Sequence, residues 1–395
     1  MKKQTIADLD VTGKRVFIRV DFNVPMASDG TIGSDARIRK SLPTIRHVVE
    51  RGGRVILASH LGRPKNGVGP SLKPVAARLT ELLGQPVSLA PDCMGPEVEA
   101  MVAALPPGGV ILLENVRFRP GEEKNDPVMA EGFARLADCV VNDAFGTAHR
   151  AHASNVGVAQ KVTPAVAGLL MAEELDFFHR AMIAPQRPVV ALLGGSKVST
   201  KMQLIESLLA KMDAILIGGA MAFTFVAARG GQVGASLVEP EMLEVARQAE
   251  ARAKEAHVEL LLPVDAVVST RSDGSGETKV VPVDQIPEGW MGLDVGPETV
   301  RRFAERLAGA ATVVWNGPVG VFEVSAFAEG TLALARHIAN SSALSVTGGG
   351  DTEAAIAKAG VAEQISHIST GGGAFLELLE GRELPGVAVL ADVRG

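Results

Sequence analysis

The sequence predicts an α/β protein with two doubly wound, Rossmann-like parallel-sheet domains, and three observations support that prediction. The length of 395 residues favours two or three domains over one. Short β-branched runs alternate with helical patterns along the chain. Most of these runs are continuously apolar, as expected of parallel strands buried on both faces. Repeated βα units of this kind indicate α/β layers.

The predicted strands are short and rich in β-branched residues. They cover residues 15–22, 54–60, 109–116, 139–145, 188–195, 214–220, 259–268, 311–317, 344–350 and 367–373. Helical periodicity predicts helices between them, and the clearest cover residues 35–51, 200–212, 240–256 and 297–307. Residues 165–182 form a long apolar and acidic stretch that predicts one helix, and Pro185 and Pro188 punctuate its end. We therefore predict two α/β domains, joined by a hinge helix at about 170–185.

Composition excludes several classes of protein. Hydrophobic residues make up 47% and charged residues 21%, which is ordinary for a globular chain. The net charge of −6 argues against broad nucleic-acid binding. No apolar run approaches the roughly 18–20 residues of a membrane span, and the first ten residues lack the apolar core of a secretory signal. Cys93 and Cys139 have no metal-site spacing, so we expect two buried thiols in a reducing cytoplasm.

Polar and cationic side chains follow the strands of the first half. The segments concerned are RVDFNVP at 19–25, SHLGRP at 59–64, ENVRFR at 114–119 and NDAFGTAHRAH at 142–152, and Arg37 lies near the start of a predicted helix. A single arginine is usually a solvated surface residue, and His60 alone could be a core histidine. Arginines at several carboxyl ends of one sheet, however, converge on one crevice. Their guanidinium groups can fork onto phosphate or carboxylate oxygens, which predicts a site for a small polyanion.

Glycine clusters follow the strands of the second half, at residues 194–195, 218–219, 317–320, 348–350 and 371–373. One such pair is usually a tight turn. Several at one sheet edge favour a nucleotide site, because backbone N–H groups and helix N-termini can then approach phosphates. Lys197 and Lys201 are four residues apart, so both lie on one helix face. Asp351 is the best candidate ligand for Mg²⁺, which favours one or two carboxylates plus phosphate oxygens.

The absence of other motifs narrows the alternatives. The chain has no P-loop and no dinucleotide fingerprint, which weakens an NAD-dependent dehydrogenase as a rival. A non-enzymatic binding role is the second rival, and a chain that had lost catalysis would be expected to lack Arg37, Lys201 or Asp351. All three residues are present.

These segments, together with GSKVS at 195–199, WNGPVGVFE at 315–323, GGGDT at 348–352 and STGGGAF at 369–375, resemble the phosphoglycerate kinase family, and its bacterial form in particular. The match runs in order over essentially the whole chain. Two positions depart from the family pattern. Ala220 stands where the family usually has a third glycine, and Phe223 stands where it often has tyrosine.

The resemblance implies reversible, Mg²⁺-dependent transfer of the acyl phosphate of 1,3-bisphosphoglycerate to ADP, which gives 3-phosphoglycerate and ATP. It implies that the phosphoglycerate is bound by Asp21, Asn23, Arg37, Ser59, His60, Gly62, Arg63, Arg117 and Arg150. It implies that the nucleotide is bound by Lys201, Gly218, Gly219, Gly292, Asn316, Pro318, Glu323, Gly349, Gly350, Asp351 and Thr352. The implied catalytic residues are Arg37, Lys197, Lys201, Gly371, Gly372 and Gly373, and Asp351 would hold the metal.

The resemblance also carries expectations for the whole molecule. The N-terminal domain, over 1–170, would bind phosphoglycerate, and the C-terminal domain, over 171–375, would bind nucleotide. Segment 376–395 would pack back on the N-terminal domain. We expect a cytoplasmic monomer that takes small-molecule substrates and binds neither nucleic acid nor membrane. Because the two sites lie on different domains, we expect hinge closure to precede direct in-line transfer.

Overall fold

The computed structural model describes residues 2–393, which divide into two compact units. Unit 1 comprises residues 2–176 together with 383–393, and unit 2 is Phe177–Arg382. Each unit contains a six-stranded sheet in which all neighbouring strands are parallel. The predicted fold class is therefore confirmed.

The sheet of unit 1 has the order β3-β4-β2-β1-β5-β6. Its strands are β1 (Arg15–Arg19), β2 (Arg54–Ala58), β3 (Val87–Leu89), β4 (Val110–Leu112), β5 (Cys139–Asn142) and β6 (Ala165–Ala167). Its helices are α1 (Ala36–Glu50), α2 (Lys73–Leu83), α3 (Pro96–Ala103), α4 (Pro127–Ala134), α5 (Val158–Lys161) and α6 (Leu169–Phe178), the last of which ends in unit 2. Arg19 is in register with Ala58 on one side and Asn142 on the other, so three strands end level. The loops that follow them consequently meet at one edge.

The main sheet of unit 2 has the order β10-β8-β7-β15-β16-β17, beside a three-stranded sheet β12-β11-β14 and a two-stranded sheet β13-β9. The strands are β7 (Val189–Leu193), β8 (Ala214–Ile217), β9 (Gln232–Val233), β10 (Glu259–Leu261), β11 (Asp265–Ser269), β12 (Thr278–Pro282), β13 (Gln285–Ile286), β14 (Met291–Val295), β15 (Thr312–Asn316), β16 (Leu344–Thr347) and β17 (His367–Ile368). The helices are α7 (Met202–Leu209), α8 (Met221–Ala228), α9 (Leu243–Glu255), α10 (Pro297–Ala308), α11 (Glu329–Ala339), α12 (Gly350–Ala359) and α13 (Gly372–Leu379). Strands β7 and β15 are buried along their whole length. Burial on both faces explains the unbroken apolar sequence of β7 and the apolar residues 313–315 at the centre of β15.

Strands β3, β9, β12, β13 and β14 lie outside the predicted strands, and two predicted elements are not present as predicted. Residues 259–268 are not one strand, because the chain leaves the main sheet after β10 and β11 then pairs antiparallel with β12 and β14. Pro263 lies at the break and has no N–H for a sheet ladder. The predicted helix over 165–182 was wrong at its start, since β6 pairs with β5 there. Helix α6 begins only where the carboxylate of the buried Asp143 accepts the N–H groups of Leu170 (2.9 Å) and Met171 (3.2 Å).

The end of the described chain contacts its beginning within unit 1. A short helix, α14 (Pro385–Ala388), follows unit 2. Asn142 Nδ2 donates to the Gly386 carbonyl (2.9 Å), and Lys3 Nζ pairs with Asp392 (2.8 Å). Among residues 2–393, no helix combines the length and the apolar character needed to span a membrane.

Candidate functional site

An ion pair and two loops form a cationic basin at the carboxyl edge of the unit 1 sheet. Arg37 lies in the first turn of α1, and its Nη1 donates to the carboxylate of Asp21 (2.5 Å). Asp21 is in the loop that follows β1. Burial acts to raise the pKa of Asp21, but cationic neighbours, Arg37 and Arg19 among them, hold it below its usual value. Asp21 is therefore an anion, and its hydrogen bond to Nη1 orients the guanidinium group of Arg37.

The loop after β2 is held between Asn23 and Arg117. The Gly62 N–H donates to Asn23 Oδ1 (2.8 Å), and Arg117 Nη1 donates to the Gly62 carbonyl (2.9 Å). Gly62 has a φ of +66°, which glycine adopts without strain. Ser59 Oγ accepts the N–H of Phe22 (2.9 Å), so the loops after β1 and β2 are joined directly. This arrangement fixes the spacing of polar groups around the basin.

A buried charge network lies behind the basin. Arg19 is 1% exposed, and it donates through Nε to Ser154 Oγ (2.7 Å) while Ser154 Oγ donates to Glu122 (2.5 Å). Arg19 Nη2 lies 3.2 Å from His60 Nδ1. A guanidinium can only donate, so Nδ1 accepts and the proton of the neutral imidazole resides on Nε2. Burial and the neighbouring charge of Arg19 lower the pKa of His60 to about 3.

The other three arginines of the predicted site differ in exposure. Arg63 and Arg150 are exposed, and Arg150 Nε is 3.1 Å from His149 Nε2. Arg117 is mostly buried and pairs with Glu123 (3.2 Å). Burial is the main cause that lowers the pKa of Arg117, and the charge of Arg150 also acts in that direction. Like charges kept this close make a favourable place for an anion.

Sequence reasoning assigned no role to Glu122 and Ser154. Glu122 is fully buried and accepts both the N–H (3.0 Å) and the hydroxyl of Ser154. Burial raises the pKa of Glu122, although Arg19 and Ser154 oppose that rise. The one signal in the sequence was Arg19, which lies inside an apolar run. A buried arginine needs a buried anion as its partner, but the sequence does not show which residue supplies it.

Unit 2 contains a cavity of about 450 Å³ beside the carboxyl edge of its main sheet. Five of the predicted nucleotide residues line it: Gly219, Gly292, Pro318, Glu323 and Asp351. The other lining residues are mostly apolar: Gly195, Ser196, Ala220, Phe223, Ala235, Leu237, Pro263, Ala266, Met291, Leu293, Asp294, Val295, Val319, Gly320 and Val321. A mostly apolar cavity with a few polar groups suits a planar organic base. Most of its walls were not predicted, because isolated apolar residues carry no motif.

Lys201 and Asn316 join three loops near this cavity. Lys201 Nζ donates to Asn316 Oδ1, and Asn316 Nδ2 donates to the Gly348 carbonyl (2.6 Å). Thr352 Oγ1 accepts the N–H of Gly317 (2.8 Å). Burial lowers the pKa of Lys201, and nearby carboxylates oppose the shift. Lys197, by contrast, has an exposed side chain. Helix α7 begins only at Met202, so the two lysines lie in the preceding turn and do not share a helix face as predicted.

The glycine loops approach one another more closely than side chains allow. A Cβ on Gly372 would lie 3.1 Å from the Cα of Gly349, and one on Gly219 would lie 2.6 Å from the Gly195 carbonyl oxygen. A Cβ on Gly218 would lie 2.5 Å from the Val319 side chain. Gly350, in contrast, faces open space at the first turn of α12. Helices α12 and α13 both begin at this edge, after Gly349 and Gly371, so their N–H groups are available to an anion.

Asp351 is exposed beside the cavity and is the carboxylate that best suits a metal. Within the described range 2–393, no group of three or more His, Cys, Asp or Glu residues could hold a metal ion by itself. One carboxylate supplemented by phosphate oxygens is how Mg²⁺ commonly binds at nucleotide sites.

A cationic basin for a small acid on one unit and a base-sized cavity with helix N-termini on the other define a nucleotide-dependent phosphotransferase. The family model described as phosphoglycerate kinase matches residues 6–382. The cytosolic phosphoglycerate kinase of Triticum aestivum is 56% identical over 98% of both chains, and that of Synechococcus sp. (strain JA-3-3Ab) is 54% identical over 99% of this chain and all of the relative. The solved phosphoglycerate kinase of Coxiella burnetii superposes with a TM-score of 0.91 at 44% identity, covering 98% of each chain. The solved phosphoglycerate kinase of Pyrococcus horikoshii OT3 superposes with a TM-score of 0.82 at 35% identity, covering 99% of this chain and 98% of that chain.

The chain belongs to the phosphoglycerate kinase family. It is a kinase of glycolysis, and its reaction is the reversible transfer of a phosphoryl group between 1,3-bisphosphoglycerate and ADP.

Proposed function

We propose that unit 1 holds the phosphoglycerate, that unit 2 holds the nucleotide, and that the phosphoryl group passes directly and in line between them without a covalent enzyme intermediate. One observation carries this assignment. The converging arginines belong to unit 1, whereas the apolar cavity and the glycine loops belong to unit 2. Each site matches the chemistry of only one of the two substrates.

In unit 1, the phosphoglycerate is held by Asp21, Asn23, Arg37, Ser59, His60, Gly62, Arg63, Arg117 and Arg150. The guanidinium groups neutralise the phosphate, and neutral His60 offers Nε2–H as a donor. Arg37 is half-exposed, and Asp21 holds only one of its guanidinium nitrogens. Its other N–H groups are therefore free to reach the carboxyl end of the substrate and the phosphoryl group in transfer.

In unit 2, the nucleotide is held by Lys201, Gly218, Gly219, Gly292, Asn316, Pro318, Glu323, Gly349, Gly350, Asp351 and Thr352. Asp351 would hold Mg²⁺, which neutralises phosphate charge during transfer. Lys197 and the N–H groups of Gly371, Gly372 and Gly373 meet the transferring group. Glu323 lies at the cavity rim, where its carboxylate can accept the ribose hydroxyls.

The acceptor carboxylate of 3-phosphoglycerate is already an anion at neutral pH, so the transfer requires no general base. Catalysis then depends on alignment and charge stabilisation. Because the substrates bind to different units, we infer closure about the hinge helix at about 170–185, which includes most of α6. Small-angle scattering tests this, since the radius of gyration should fall only when both ligands are bound. An unchanged radius would contradict closure.

We further infer a monomer that works in the cytoplasm. The wheat relative described as cytosolic supports the location. Analytical ultracentrifugation tests the oligomeric state, and a concentration-independent dimer would contradict it.

Arg37→Ala tests the proposed function. ATP consumption that requires both 3-phosphoglycerate and Mg²⁺ should fall about 10³-fold or more in this variant, because a guanidinium at a phosphoryl transition state has an effect of that size. Arg39→Ala is the matched control, since Arg39 lies on the same helix with an exposed side chain paired to Asp35. Near wild-type turnover by Arg37→Ala would contradict the role assigned to that residue.

A further inference from the structure

Residues 235–239, which we name the cavity strap, run along one wall of the unit 2 cavity. Ala235 and Leu237 line the cavity. Between them, Ser236 Oγ accepts the N–H of Gly292 on strand β14 (2.9 Å), and the Ala235 N–H donates to the Trp290 carbonyl (2.7 Å). One end of the strap is thereby fixed to the wall that would contact a nucleotide base.

The other end of the strap is Glu239, which reaches the turn that carries the two lysines. Its side chain is largely buried, and the two carboxylate oxygens accept the Ser199 N–H (3.0 Å) and the Ser199 hydroxyl (2.5 Å). The Glu239 N–H donates to Thr224 Oγ1 on helix α8 (3.2 Å). Burial acts to raise the pKa of Glu239, but the Ser199 bonds and the charge of Lys197 hold it below its usual value. Glu239 is therefore an anion with two short, directional contacts.

Ser199 lies midway between Lys197 and Lys201, so its anchor controls both. The Lys201 N–H donates to the Val198 carbonyl (2.9 Å), and Thr200 Oγ1 donates to the Lys197 carbonyl (2.9 Å), which makes the turn one hydrogen-bonded body. The Lys197 side chain is exposed, and no ion pair holds it among the described residues. The position of Lys197 therefore depends on the backbone of the turn. The carboxylate of Glu239 is the charged group that accepts a hydrogen bond from this backbone, at the Ser199 N–H.

We propose that Glu239 is a positioning residue that holds the 197–201 turn so that Lys197 and Lys201 face the nucleotide phosphates, and that the strap couples this turn to the base-binding wall. This inference rests on the proposed function, in which the two lysines bind phosphate. Charge-assisted hydrogen bonds from a carboxylate to N–H and O–H donors are about twice as strong as neutral ones. A turn held in this way keeps the lysines aligned before the nucleotide arrives.

The test compares Glu239→Ala with Glu239→Gln and Ser199→Ala, and Glu244→Ala is the matched control. Glu244 is an exposed residue of α9 that pairs with Arg247. In Glu239→Ala, kcat/KM for ATP should fall about 10- to 100-fold, because a small misplacement of a phosphate-binding group has an effect of that order. The KM for 3-phosphoglycerate should stay within about twofold, since unit 1 is untouched.

Glu239→Gln should recover most of the loss. The amide carbonyl of the glutamine can accept a hydrogen bond from the Ser199 N–H, and its NH₂ group can donate to Ser199 Oγ. The Ser199 hydroxyl oxygen would then accept a hydrogen bond from residue 239, whereas in the wild type the hydroxyl donates one. Ser199→Ala keeps the backbone contact and should lie between wild type and Glu239→Ala. The double variant Glu239→Ala/Ser199→Ala should be no worse than Glu239→Ala alone, because both changes remove the same contact.

Lys197→Ala, measured beside these variants, separates the possible failures. If Lys197→Ala loses activity while Glu239→Ala matches Glu244→Ala in kcat and in KM for ATP, the positioning role is overturned and the proposed function stands. If Glu239→Ala lowers only the thermal midpoint and leaves both constants unchanged, its role is structural and the inference is also overturned. Full activity in Lys197→Ala would overturn the lysine assignment and the inference together.

Discussion

Arg19→Met should destabilise unit 1, and the size of the loss can be worked out from the burial of Arg19 and of its partner Glu122. Arg19 is 1% exposed and Glu122 is fully buried, and Ser154 bridges them. Methionine fills a similar length but leaves Glu122 without its cation. Removing one partner of a buried ion pair costs about 3–5 kcal/mol. At about 2–4 °C per kcal/mol for a unit of this size, the midpoint of unit 1 should fall by about 6–20 °C.

The loss should depend on pH in a defined direction. Burial already raises the pKa of Glu122, and removal of Arg19 raises it further. A carboxyl with a raised pKa in the folded state loses stability as pH rises through that pKa. The wild-type carboxyl also has a raised pKa, so the difference between wild type and variant should grow only between the pKa of Glu122 in the wild type and its higher pKa in the variant. Within that range it should grow by up to about 1.4 kcal/mol for each pH unit. It should be smaller at pH 5 than at pH 8.

The two units can be followed separately in this experiment. The chain has two tryptophans, Trp290 and Trp315, and both lie in unit 2. Urea unfolding of unit 1 is measured by amide hydrogen exchange of β1 and β2, and tryptophan fluorescence serves as the internal control. Arg15→Met is the matched variant, because Arg15 is on the same strand in a part-exposed pair with Asp138 worth about 0–1 kcal/mol. A loss in Arg19→Met no larger than in Arg15→Met would refute the reasoning.

Three further outcomes are expected. The His60 imidazole, with its pKa lowered to about 3, should stay neutral with Nδ1 unprotonated from pH 8 to pH 5, and a ¹⁵N signal of imidazolium at pH 5 would contradict this. Asp294 is buried with a pKa raised to about 7, so wild-type stability falls as pH rises towards 7; Asp294→Asn should gain about 2–3 kcal/mol on wild type in urea unfolding between pH 5 and pH 7. Gly219→Ala should cost unit 2 about 1–3 kcal/mol by tryptophan fluorescence, because its φ is +70° and a Cβ would meet the Gly195 backbone. Gly350→Ala, with open space around it, should cost far less, and equal losses would remove the argument.

The parallel cores were predictable because each strand carries its own signal. Strand β7 is apolar throughout and is followed by glycine, and strand β1 has three apolar residues between Arg15 and Arg19. That local pattern follows from burial on both faces, so such a strand can be recognised in the sequence before its neighbouring strands are known. Strand β6 has the same apolar character, but it is too short to be distinguished from the helix that follows it.

The cavity walls were not predictable, because they are assembled by tertiary contacts. Phe223 lies in α8, Leu293 lies in β14, and Leu237 lies in the loop after β9, and none of them carries a motif that marks it in the sequence. Strand β14 enters the cavity only through antiparallel pairing with β11. The glycine loops show a related ambiguity. Gly219 is required by its contact with the Gly195 backbone whether or not a phosphate binds, and sequence alone cannot separate the two reasons.

The pairing of Lys3 with Asp392 has a consequence for how the chain is made. In linear order, unit 2 is an insertion within unit 1, since residues 177–382 lie between the two parts of unit 1. During synthesis from the N-terminus, unit 2 is complete once residue 382 has left the ribosome, whereas unit 1 still lacks α14 and its contact with Asn142. The unit that starts first is therefore finished last, because unit 1 gains the contact between Asn142 and Gly386 only after all of unit 2 has been synthesised.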